Sequence, residues 1–198
     1  MNKLLPIVPE NIDDIESIFD ECNTFFKETI LNKGKRPLLD EREVFIPIKW
    51  MEDKKSKLFW HICSIEPKNP NLSILPCTND AASSVCEENC INLSNLIHLD
   101  NKDRAKCIYR AVRIAWIKEI IELYNSNDPR VKYWEKLNSD KKNRIYLRFQ
   151  EDGDDYVIVF ERKSVKRVVL VTAYPVFYRS SKYDYDVDYN NYQQQNGK

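Results

Sequence analysis

RIYLRFQEDGDDYVIVFERKSVKRVVLVTAYPVFY, residues 144–178, holds three runs rich in β-branched and aromatic side chains. RIYLRFQ (144–150), DYVIVFERK (155–163) and RVVLVTAYPVFY (167–178) are parted by the short turn sequences EDGD and KSVK, which predicts three strands in an antiparallel meander. In the third run a period of two places Val169, Val171 and Ala173 on one face and Leu170, Thr172 and Tyr174 on the other. The second face is partly hydroxylated. It suits either a half-exposed strand or the floor of a site.

Working outward toward the N-terminus, DPRVKYWEKL (128–137) opens on Asp-Pro, an acceptable cap and first-turn pair, and reads as a short helix. KDRAKCIYRAVRIAWIKEIIELYN (102–125) reads as an amphipathic helix with Ile108, Val112, Ala115, Ile120 and Leu123 turned to the core. Residues 67–100 are rich in Pro, Asn, Ser and Cys and read as a loop insertion, with a short helix near 81–90. EVFIPIKW (43–50) and KLFWHICSIE (57–66) read as two strands. Ile12, Ile15, Phe19, Cys22, Phe26 and Ile30 follow helical spacing up to a stop near 32–34. Toward the C-terminus, alternating Tyr and Asp give way to Asn and Gln, so 184–198 is expected to be a flexible polar tail. The element order predicts an α+β fold in one domain, 1–183: an antiparallel sheet with helices on one face, an N-terminal helix and the Cys-rich insertion.

Composition excludes several classes. With three glycines and neither GxGxxG nor GxxxxGK[ST], dinucleotide and Walker-type sites have no sequence support. The first residues lack a signal-peptide core, and no run reaches the roughly 18 apolar residues of a membrane span. The expected location is cytoplasmic, with no membrane partner. Six cysteines in a chain of this length then read as reduced thiols. Net charge is zero, but residues 100–182 hold 19 Lys/Arg against 12 Asp/Glu. A polyanion-binding face on a neutral protein would produce this asymmetry.

Several residues are candidates for chemistry. His61 is one of two histidines and suits either proton transfer or a structural role. Arg110 and Arg113, three apart on a predicted helix, suit a phosphate or a solvated face paired with Asp103 or Glu119. Thr172 and Tyr174 suit contacts to a phosphate or a base, or packing with satisfied hydroxyls. Cys77, Cys86, Cys90 and His98 compose a Cys₃His set that would suit zinc, although it lacks a CxxC knuckle; otherwise they are reduced thiols, and no metal is expected.

The series FWHICS (59–64), RAVRIAW (110–116) leading into IKEII, YWEK (133–136) and LVTAYPV (170–176) resembles the barnase, EndoU, colicin and RelE ribonuclease superfamily, especially its phage-type branch. The similarity covers residues 58–183. It implies an endoribonuclease that needs no metal or other cofactor, acting on tRNA, mRNA or rRNA as a toxin or phage-defence effector, with an inhibitory antitoxin or immunity protein as a partner. The implied catalytic set is His61, Arg110, Arg113, Thr172 and Tyr174, with Trp116, Arg179 and Lys182 binding substrate. Transesterification by the 2′-OH would leave a cyclic phosphate. Two other classes stay open: a noncatalytic RNA- or protein-binding module, which would tolerate loss of His61, and an interaction protein acting through the acidic helix at 10–30. The latter would fail on charge reversal at Asp13, Asp14 and Glu16.

Overall fold

The computed structural model describes residues 3–11, 14–51, 53–66 and 96–196. The fold is α+β, and the chain read from sequence as one domain divides into two compact units, 1–35 with 48–116, and 36–47 with 117–198.

In the first unit, helix α1 (Ile15–Phe26) starts where the Asp14 carboxylate accepts the Glu16 amide at 3.1 Å, and it continues into a π-helical turn, Lys27–Leu31. Its apolar stripe Ile18, Phe19, Cys22 and Phe26 is buried. Helix α2 (Lys57–Cys63) supplies the other half of this core: Phe19 meets Trp60 at 5.2 Å between ring centroids, and Phe26 meets Phe59 at 5.9 Å. Residues 57–63, expected as strand, are helical because the buried Ser56 hydroxyl accepts the Phe59 amide and starts a helix. A short run with nearly every side chain buried shows no period by which sequence could separate helix from strand. Strands β2 (Ser64–Ile65), β3 (Leu96–Leu99) and β4 (Lys102–Lys106) form a sheet in the order β2-β4-β3, all antiparallel. Asp100 and Asn101 link β3 to β4 with φ of 52° and 60°, the positive values that a two-residue hairpin turn requires. The expected long helix from Lys102 is therefore a strand, then a single turn of helix α3 (Ile108–Ala111), then a break before helix α4 (Trp116–Asn125).

The second unit is built on a five-stranded sheet of order β1-β8-β7-β6-β5, with β1 (Glu43–Phe45) parallel to β8 (Arg167–Pro175) and the rest antiparallel. The meander of β6 (Asn143–Glu151), β7 (Asp154–Ser164) and β8 is the one its turns predict. Its neighbour β5 (Val131–Leu137) replaces the expected short helix. Asp128 is no helix cap there: its carboxylate accepts the Arg130 amide and guanidinium at 2.9 Å, a local turn that launches a strand.

Two helices pack against this sheet: Tyr124 of α4 stacks on Tyr133 of β5 at 5.2 Å, and Tyr192 of helix α5 (Arg179–Asn196) meets the same ring at 5.9 Å. Helix α5 takes the place of the expected polar tail. Its inward positions are Tyr185, Tyr189 and Tyr192, packed around Trp134, Tyr146, Val157 and Val159; this helical spacing is hidden in sequence by further tyrosines and aspartates on the other faces. A bulge also corrects the face assignment in β8. Val159 pairs with Thr172 but Phe160 pairs with Leu170, leaving Val171 as the extra residue. Leu170 therefore faces away from Thr172 and Tyr174, a switch that strict alternation cannot register.

Candidate functional site

The first unit gathers charge around His61. Half-buried on α2, it is followed by Ser64, whose carbonyl accepts Nη2 of Arg104 at 2.9 Å and Nη1 of Arg110 at 3.0 Å. Two guanidiniums thus converge on one oxygen. Arg104, on β4, also donates Nε to the Ser64 hydroxyl at 2.8 Å and reaches Glu66 at 3.3 Å. Lys102 meets the same carboxylate at 3.1 Å. On α2, Lys57 lies one turn before His61 on the same helical face and pairs with Asp100 in the hairpin turn.

Electrostatics follow from this crowding. Burial, then Arg104 and Arg110, lower the proton affinity of His61 below the ordinary imidazole value, against a smaller opposing pull from Asp100 and Glu66. Burial and the charge of Arg110 likewise lower the pKa of Arg104. The cations Lys57, Lys102, Arg104 and Arg110 outnumber the anions Glu66 and Asp100. A neutral imidazole beside such an excess can accept a proton near neutral pH while the guanidiniums hold an anion.

The other sequence candidates have surroundings of their own. Arg113 is not on a continuous helix with Arg110, because the helical turn ends at Ala111. It is buried, its guanidinium 3.5 Å from the Tyr109 ring centroid and 5.0 Å from that of Trp116, and it donates to the Tyr109 carbonyl. Trp116, expected to bind substrate, is a core residue only 1% exposed, with its indole N–H donated to the Leu5 carbonyl at 3.0 Å. Thr172 and Tyr174 belong to the second unit, as do Arg179 and Lys182. There the Tyr174 hydroxyl is hydrogen-bonded to that of Tyr185, Arg179 is exposed in the first turn of α5, and Lys182 approaches Asp155 at 3.8 Å. His98 is exposed, its Nδ1 3.0 Å from Asp103. Cys77, Cys86 and Cys90 lie outside the described residues, among which no cluster of metal-binding side chains occurs. Asp13 also lies outside them, while Glu16 pairs with Lys106.

Arg104 and Lys57 are the residues that sequence reasoning missed. The Asp-Asn pair at 100–101 and the alternating cations Lys102, Arg104 and Lys106 were the available signal for a hairpin.

No family model matches the chain, and the comparisons with curated proteins and with solved structures find none similar to it.

Proposed function

We propose that the first unit is a metal-independent endoribonuclease that cleaves RNA by transesterification. The reading is best supported by the placement of His61 beside Arg104 and Arg110, both anchored on the Ser64 carbonyl. His61 takes the proton of a ribose 2′-OH as its oxygen attacks the adjacent phosphorus. The bond from phosphorus to the 5′-oxygen breaks, leaving a 2′,3′-cyclic phosphate and a 5′-hydroxyl. Lys57, on the same face of α2, is the donor assigned to the departing oxygen. Arg104 and Arg110 hold the nonbridging oxygens, where charge grows in the transition state. RNA is the substrate class; a toxin or defence role, and an inhibitory protein partner, rest on the sequence resemblance alone.

A noncatalytic binding module is the second reading, favoured by the number of bonds that tie Arg104 to the junction of α2 and β2. His61→Ala and Arg110→Gln separate the two when RNA and DNA of one sequence are incubated with each folded variant. The enzyme reading expects cleavage of RNA alone, reduced about 10²- to 10⁴-fold by His61→Ala. RNA binding with no cleavage by either protein would favour the second, and equal RNA cleavage by wild type and His61→Ala would remove His61 from the reaction.

A further inference from the structure

The face of the second unit's sheet beneath α5 has an ordered composition. Along β5 it presents Lys132, Trp134 and Lys136, and along β6 Arg144, Tyr146 and Arg148. Register pairs Lys132 with Arg148, Trp134 with Tyr146 and Lys136 with Arg144. Two strands thus carry the same sequence of cation, aromatic ring, cation, side by side. Trp134 and Tyr146 stack with centroids 5.0 Å apart and planes 4° from parallel.

What covers this face is equally ordered. Tyr185 lies 5.7 Å from Trp134 and 6.0 Å from Tyr146, and Tyr189 lies 6.3 Å from Trp134. Asp186 reaches Arg148 at 3.0 Å and Lys132 at 3.4 Å, while Asp188 reaches Lys136 at 2.8 Å. Rings meet rings and carboxylates meet cations. A helix that only closed a core would present aliphatic side chains, but α5 presents Tyr185, Asp186, Asp188 and Tyr189 to the sheet and buries none of its residues fully, although Trp134 beneath it is wholly buried. Such a helix can leave the sheet without exposing an oily face of its own.

We propose that this sheet face binds single-stranded nucleic acid and that α5 is a built-in mimic of that ligand which must be displaced. Bases stack on Trp134 and Tyr146, as sequence-tolerant single-strand binders use aromatic platforms. Phosphates take the places of Asp186 and Asp188 on Lys132 and Lys136. Arg148 and Arg144 keep their sheet partners Asp155 and Glu161, so they remain compensated when α5 departs. The proposal does not depend on RNA cleavage, since stacking and ion pairing need no 2′-hydroxyl.

The test uses the full chain and a fluorescein-labelled oligodeoxythymidylate, which lacks the 2′-OH and so keeps binding separate from cleavage. Asp186→Asn with Asp188→Asn is expected to tighten binding about tenfold, because the competing anions are gone while the phosphate sites remain. Adding Lys132→Glu and Lys136→Glu is expected to remove the gain, and salt to weaken binding throughout. In the wild type, saturating oligonucleotide is expected to lower hydrogen-exchange protection over 179–196, a readout that survives even if a variant fails to fold. The proposal is overturned by unchanged affinity in the folded Asn variant, by a gain that persists with the Glu pair, or by undiminished protection of α5 in the bound state. Self-association of the Asn variant with the oligonucleotide left free would overturn it in favour of a second copy of the chain.

Discussion

As the proposed base, His61 would work only when neutral, so its depressed proton affinity would have a kinetic signature. The pH–rate profile of RNA cleavage is expected to rise with an ascending midpoint below ~6.5, the ordinary imidazole value. Arg110→Gln removes one of the charges that lowers it, so the residual activity should show a midpoint shifted upward; an unmoved midpoint would assign the ascending limb to another group. Stability carries the same sign. The unfolded chain binds the proton at higher pH than the fold does, so His61 costs stability as pH falls from about 6.5 toward its lower folded value. Arg148 makes a different point at this scale. Its side chain is 1% exposed and that of Asp155 is 4% exposed, 2.7 Å away. Arg148→Met would strand a buried carboxylate, and a loss of roughly 3–5 kcal/mol is expected in urea unfolding; a loss below 1 kcal/mol would mean that Asp155 finds water or another cation.

At the scale of elements, α2 matters most because it carries Lys57 and His61. Its start depends on Ser56, a fully buried hydroxyl that accepts the Phe59 amide at 3.1 Å. Ser56→Ala is expected to cost about 1 kcal/mol, seen as a lower Tm with cleavage at permissive temperature retained. The sequence was legible where turn chemistry and alternation agreed. Asp152-Gly153, at φ of 49° and 93°, closes the β6–β7 hairpin as EDGD implied. It was not legible where a short apolar run lacked a period, as in KLFWHIC, or where a local side-chain bond redirected the chain, as at Asp128. The bulge at Val171 belongs to the same group, since one extra residue turns Leu170 away from Thr172 without any mark in composition.

For the whole molecule, part of the basic excess read from residues 100–182 falls in two sets, one in each unit. One surrounds His61 in the first unit, and the other lies under the carboxylates of α5 in the second. Each proposed site draws its residues from one unit: His61, Arg104 and Arg110 from the first, and Lys132, Trp134, Tyr146 and α5 from the second. His61 and Arg110 were legible as reactive types, but their partner Arg104 depended on a hairpin hidden in an apparent helix. The α5 helix escaped notice because its stripe of Tyr185, Tyr189 and Tyr192 is diluted by tyrosines and aspartates on every other face, and its fit to the sheet exists only in three dimensions. The measurement that bears most directly on the proposed catalytic site is end-group analysis of RNA incubated in EDTA with wild-type protein and with folded His61→Ala. The account expects 2′,3′-cyclic phosphate and 5′-hydroxyl ends from the wild type and essentially none from the variant. Intact RNA with the wild type, 5′-phosphate ends, or the same fragments from both proteins would contradict it.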